Sequence, residues 1–298
     1  MNVYLRIVLV MFLWAVCFPL ITIGIEFAPH ITFAAIRALI SGGALLAMAL
    51  LLGRKLPRSR KDWLALTVIG VGATTLAFFG MFHAAEFVSP GIATVIANTQ
   101  PLLAALLAHW FLGERLGIHG RLGLALGFAG IVLIAVPQIS EGGGEAFRIG
   151  VTYIVISAIG ISASNVVIKG IATKIDPLMA MGWQLVIGSI PLALIAFVTE
   201  DPSAIRWTGA FLGSLIALSL AGTAVAYWVW CTVLQSVALS RANAFAFLVP
   251  LFGLGMGAAF YGERLTALAL AGIAVTLLGI FLVTKSGIRS TADNGKSR

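Results

Sequence analysis

The chain has 298 residues, 60% of them hydrophobic and only 10% charged, with 19 Lys and Arg against 11 Asp and Glu and a formal net charge of +8. A soluble globular domain carries about 25% charged residues, so this inventory cannot build a water-facing surface; it equally excludes a disordered chain and a disulfide-stapled secreted domain. The positive balance points to lysines and arginines gathered in cytoplasmic loops rather than to nucleic acid as a partner.

A helix crosses the hydrocarbon core with about 20 apolar residues. Ten such runs fit: 3–23, 31–52, 63–83, 89–112, 118–137, 148–170, 177–199, 208–235, 240–261 and 266–285. The first reads as an uncleaved span rather than a signal peptide, because it is long, has no small-x-small site and holds Trp14 and Pro19. Cys17 and Cys231 lie in apolar runs and read as small core residues. The loops are short, so successive spans are antiparallel neighbours in one bundle within the lipid bilayer. With the N-terminus cytoplasmic, that side collects Arg6, Arg54, Lys55, Arg58, Arg60, Lys61, Arg115, Arg121 and most other basic residues, against Arg148, Arg206 and Arg264 opposite. Both termini are therefore expected in the cytoplasm, and the polar segment 286–298 is expected to be a disordered tail.

The chain repeats itself at half its length. Gly113-Glu114-Arg115-Leu116 recurs as Gly262-Glu263-Arg264-Leu265, an offset of 149 that also brings Pro101 onto Pro250, Gly123 onto Gly272, Gly130 onto Gly279 and Phe78 onto Tyr227. Each half holds five spans, and five is odd, so the second copy enters the membrane from the opposite side. The expected architecture is all-α and polytopic: ten transmembrane helices as two inverted five-helix repeats, residues 1–137 and 148–285, joined by the loop 138–147. Such inverted repeats are a mark of alternating-access carriers.

The run from Ser89-Pro90-Gly91 to Pro101, the GERL turn and the glycines at 120, 123, 127 and 130 resemble the EamA-type domain of the drug/metabolite transporter superfamily, and the second half carries the same series. That resemblance implies a central cavity lined by spans 1–4 and 6–9, with spans 5 and 10 bracing the outside. The many intramembrane Trp and Phe residues make the chain similar to the bacterial aromatic amino-acid exporter branch, which implies a multi-pass protein of the bacterial inner membrane.

Gly113 and Gly262 suit a left-handed helix end, and Glu114 and Glu263 are expected near the N-terminus of the next helix, where the macrodipole favours an anion. With Arg115 and Arg264 they read as structural corners. Buried polar groups are the better guide to function, since ionisable residues in lipid are costly. Arg37 has two readings, a snorkelled or internally bonded residue of span 2 or a functional cation. His83, beside Glu86, is either a gate or proton acceptor or a hydrogen-bonded loop histidine. Asn98, Asn165 and Gln184 supply amides at cavity depth, and Trp14, Trp183, Tyr227 and Trp230 supply aromatic walls suited to an amphipathic, zwitterionic or cationic solute. These seven are the expected substrate contacts. Pro101 and Pro250, at matched positions, are expected to kink their spans and act as hinges.

No HExxH, nucleophile elbow or P-loop is present, and no motif calls for a metal or cofactor. An enzyme is disfavoured, and a channel would need a more polar lining. By elimination, electrically neutral or zwitterionic metabolites fit best, and the resemblance then implies export of amino acids, aromatic or other bulky apolar ones, by a monomeric carrier; the alternative is export of other small metabolites or cationic drugs.

Overall fold

The computed structural model describes residues 2–84, 87, 96–139, 145–261, 266–286 and 288–289. Its helices are α1 Val3–Ile25, α2 His30–Leu51, α3 Arg60–Ala84, α4 Gln100–Leu112, α5 Ile118–Ile139, α6 Glu145–Ile171, α7 Pro177–Thr199, α8 Gly209–Leu234, α9 and α10 Ala267–Lys285. Helix α9 runs Leu239–Ala244, tightens into a 3-10 turn at Phe245–Phe247 and resumes over Leu248–Tyr261. Among the described residues, eight helices are long and apolar enough to cross a membrane, and Gln100–Leu112 and Ile118–Ile134 are shorter apolar segments. Large apolar side chains such as Leu51, Phe197 and Val198 are exposed, a surface that lipid solvates and water does not.

Local chemistry sets the helix starts. Ser59 and Asp62 form a reciprocal capping box on α3, Asp176 accepts from the N–H groups of Leu178 and Met179 on α7, and Thr208 and Thr266 cap α8 and α10. Helix α4 ends at Gly113, whose φ of 66° is the left-handed conformation that glycine adopts without strain.

Helix α5 packs chiefly on α10, and α2 on α7. Both contacts depend on absent side chains. A Cβ at Gly123 would stand 2.6 Å from the Gly279 carbonyl oxygen, and one at Gly272 would stand 2.7 Å from that of Gly130. The glycines paired by the 149-residue offset are thus the ones that let α5 and α10 meet. Gly42 and Gly182 serve α2 and α7 in the same way.

Two carboxylates, the buried Glu114 and the partly buried Glu200, tie the halves of the chain together. Glu114, only 4% exposed, accepts from Leu239 N–H at 2.7 Å, Ser240 N–H at 2.9 Å and the Ser240 hydroxyl at 2.7 Å. It therefore caps α9, 125 residues away, and not the adjacent α5 that the sequence suggests. Glu200 repeats this at the other end of the bundle, accepting from Ile31 N–H at 2.9 Å and from the Thr32 N–H and hydroxyl at 2.7 Å, and so capping α2. Arg115–Leu116 pairs antiparallel with Ile288–Arg289, so the segment read as a disordered tail starts with a short paired stretch.

Candidate functional site

A cavity of about 130 Å³ lies inside the bundle. Its walls come from α1 (Trp14, Cys17, Ile21), α2 (Arg37), α3 (Phe78, Met81, Phe82), the turn before α4 (Ala97, Asn98), Gln100, α6 (Ser157, Ala158, Ile161), α8 (Tyr227) and α9 (Ala246, Val249). Both halves contribute, and Phe78 and Tyr227, which the 149-residue offset relates, are both in the lining. The lining is mostly apolar, with few polar groups, as small-molecule sites are.

Of the expected substrate contacts, Trp14, Asn98 and Tyr227 line this space. Trp230 stands behind Trp14, ring centroids 5.4 Å apart, and is 1% exposed. Its indole N–H donates to Asn165 Oδ1 at 2.8 Å, and Asn165 Nδ2 donates to Asn243 Oδ1 at 3.4 Å. Both residues therefore buttress the aromatic wall from outside the lining. Trp183 and Gln184 lie elsewhere: Trp183 packs edge-on against Trp63 at 5.0 Å, and Gln184 Oε1 accepts from Thr74 at 2.9 Å on α3. Being apolar-run neighbours gave these two similar sequence signatures, but the helix face decided otherwise.

The expected hinges differ as well. Pro101 stands in the first turn of α4, directly after a turn at 98–99, and Pro250 stands just beyond the 3-10 turn of α9. Neither kinks the middle of a continuous α-helix; each restarts a helix after a break, where a missing N–H is tolerated. The carbonyls four residues back belong to Ala97 and Ala246, which both line the cavity. At the Glu200 end, His83 Nδ1 is 2.9 Å from His30 Nε2, and its ring lies against Phe79 and Tyr153. Glu86, Gly262, Glu263 and Arg264 lie outside the described residues.

Arg37 is central. It is 5% exposed and lines the cavity. Its Nε donates to Thr223 Oγ1 at 2.8 Å and its Nη2 to Cys17 Sγ at 3.6 Å, while the guanidinium carbon lies 4.7 Å from the Phe78 ring centroid and 6.0 Å from that of Phe82. What brings Thr223 to it is a widened turn. Residues Gly70–Leu76 of α3 and Leu218–Val225 of α8 are π-helical, and such turns re-aim side chains and often occur at functional sites. Sequence reasoning missed Thr223, Cys17, Gln100 and Ser157. One signal was available: Thr223 stands 149 residues after Thr74. Among the described residues, no cluster of three or more His, Cys, Asp and Glu could hold a metal ion.

The EamA-like transporter family matches residues 1–136 and 148–285. A WAT1-related chloroplastic protein of Arabidopsis thaliana is 33% identical over 264 residues, 84% of this chain but 61% of that protein, so the chain spans about three fifths of its length. The uncharacterized transporter YvbV of Bacillus subtilis is 32% identical over 284 residues, covering 95% of this chain and 92% of its own. The uncharacterized inner membrane transporter YedA of Escherichia coli is 28% identical over 280 residues, 91% and 87% of the two chains. A solved crystal structure superposes with a TM-score of 0.82 over 95% of this chain and 96% of its own at 19% identity, a likeness of fold.

Proposed function

The chain belongs to the EamA-like transporter family of the drug/metabolite transporter superfamily, and with that as premise we propose that this multi-pass membrane transporter exports amino acids, aromatic or other bulky apolar ones, through the cavity described above. The observation that carries this reading is the cavity itself, walled by Trp14, Phe78, Phe82 and Tyr227 from both halves, with Asn98, Gln100 and Ser157 as polar contacts. Aromatic faces take up flat apolar side chains, and a few amides orient the polar end.

The mechanism in this reading is alternating access by ten spans in two inverted repeats. The glycine contacts of α5 with α10 and the matched helix breaks before Pro101 and Pro250 support it. The repeats are residues 1–137 and 148–285, both termini face the cytoplasm of a bacterial inner membrane by the distribution of Lys and Arg, and the working unit is one chain. His83 and Glu86 are the groups at which gating or coupling would be sought. A second reading, export of cationic drugs, draws on the same ring faces.

The test is uptake of radiolabelled tryptophan into proteoliposomes, with threonine, a polyamine and a cationic drug in parallel. Saturable tryptophan uptake that falls about tenfold in Trp14→Ala supports the reading, the size expected for loss of a large aromatic contact. Exclusion of tryptophan while the drug enters overturns it.

A further inference from the structure

The cavity wall holds a cation whose hydrogen-bonding capacity is mostly unused among the described residues. A guanidinium has five N–H donors and does not lose its charge in a protein. Arg37 places one on Thr223 and one on the sulfur of Cys17, a weak acceptor. The ion pairs among the described residues are His30–Glu200 and Arg54–Asp176, and neither involves Arg37. The rings of Phe78 and Phe82 offset part of the charge, yet a buried cation with no anion beside it among the described residues is an expensive feature to keep in a membrane. Its orientation is fixed. Thr223 spends its own proton on the Leu218 carbonyl at 2.9 Å, which leaves a lone pair for Arg37 Nε, and Cys17 is held by the carbonyls of Leu13 and Gly222. Among the described residues nothing else takes up the rest of the fork, which is left for whatever occupies the cavity, with Trp14 and Tyr227 among the other walls.

We propose that Arg37 is the receptor for a carboxylate of the transported solute, so that the carrier takes an aromatic or apolar solute bearing one carboxylate and refuses the amine that lacks it. The proposal rests on the carrier reading above and narrows it, because it sets aside cationic drugs. A guanidinium fork matches a carboxylate in a bidentate pair. The shared chemistry is the carboxylate, and it has two sources: a zwitterionic amino acid or a simple organic acid.

The experiment has two readouts on the full-length protein. In proteoliposomes, uptake of tryptophan, indole-3-propionate and tryptamine is compared for wild type, Arg37→Lys and Arg37→Gln. Uptake of one or both carboxylates with tryptamine excluded, and a loss of about tenfold or more in Arg37→Gln with partial retention in Arg37→Lys, is expected from removing one partner of a buried charge pair. Which carboxylate enters tells amino acid from organic acid. Tryptamine entering as fast as tryptophan, or Arg37→Gln transporting tryptophan at the wild-type rate, overturns the proposal.

The second readout is the melting temperature of wild-type protein in detergent, which needs no variant to fold. Sodium benzoate and indole-3-propionate should raise it by about 2 °C or more over sodium chloride at equal ionic strength, and tryptamine hydrochloride should not. If no solute is taken up, the carrier reading for aromatic solutes falls, and the anchor stands or falls on this shift alone. Equal shifts for acid and amine, or none for either, overturn it.

Discussion

Two corners of the bundle are built alike and behave differently. In one, Thr223 on the π-turn of α8 meets Arg37 of α2; in the other, Thr74 on the π-turn of α3 meets Gln184 of α7. Aligned from their first residues, His30 and Pro177, α2 and α7 bring Arg37 onto Gln184, just as the 149-residue offset brings Thr74 onto Thr223. The same alignments put Ser41 in the place of Gly188 and Ser219 in the place of Gly70. At the second corner a Cβ on Gly70 would lie 2.6 Å from the Gln184 carbonyl oxygen and 3.0 Å from Gly188 N. Glycines thus let α3 and α7 close on each other, and Gln184 is sealed at 0% exposure with its Nε2 lacking a partner among the described residues. At the first corner serines stand in place of those glycines, and the residue there, the cation Arg37, lines the cavity. The difference teaches that a paired scaffold supplies two equivalent positions, while backbone spacing decides which of them is sealed.

The largest expected effect comes from forcing the corners to match. Gln184→Arg places a second guanidinium at a position sealed at 0% exposure, and an unpaired charge at that depth costs about 3 kcal/mol. The variant should give little folded protein and a markedly lower melting temperature in detergent. A Gln184→Arg protein as stable as wild type would show that the second corner opens too, and the comparison would break. Smaller is the effect of Thr223→Val, which removes the acceptor of Arg37 Nε without changing shape. A hydrogen bond to a charged group is worth about 2 kcal/mol, and the freed guanidinium should swing from its fixed direction. The melting temperature should drop and the carboxylate-induced shift should shrink several-fold, with Thr223→Ser restoring both. An unaltered carboxylate response in Thr223→Val would mean that the π-turn of α8 has no part in aiming Arg37.

What the sequence could show follows from which forces leave a local trace. Spans are legible because lipid demands long apolar runs, and eight of the expected ones reappear as helices of sufficient length and hydropathy. The offset of 149 is legible because glycines and prolines have few substitutes; Gly123, Gly130, Gly272 and Gly279 meet where α5 crosses α10. Trp14, Asn98 and Tyr227 could be expected at the cavity because they place a ring face or an amide on spans that the resemblance assigns to its lining, and all three line it. The partner of Glu114 could not. Its carboxylate satisfies donors 125 residues away, and nothing in GERL names Leu239 or Ser240. The π-turns were equally hidden, since Gly70–Leu76 and Leu218–Val225 have ordinary helical composition and differ only in how the backbone bonds close. Without them Thr223 has no route to Arg37, and without Thr223 the two readings of Arg37 stay balanced.

The smallest effect sharpens the comparison most. At the sealed corner Gln184 accepts one hydrogen bond from Thr74 and leaves an amide N–H₂ unsatisfied among the described residues. Replacing it with Met, close in volume and length, loses that bond but also removes the unsatisfied donor. The two contributions oppose each other, so Gln184→Met should change stability by less than about 1 kcal/mol. Adding Thr74→Val, which takes away the hydroxyl left behind, should bring the double variant back toward wild type, because deleting both partners of a buried hydrogen bond is nearly neutral. Chemical or thermal unfolding in detergent measures the cycle. The parallel change at the open corner, Arg37→Met with Thr223→Val, makes the same exchange of polar for apolar groups, and it too should fold. Only the second double variant should lose the melting-temperature response to benzoate. Equal loss from both would place Gln184 in the solute's path and make the two corners equivalent after all; retention by both would separate the response from Arg37. The contrast between two pairs of substitutions with matched chemistry isolates what Arg37 contributes beyond packing.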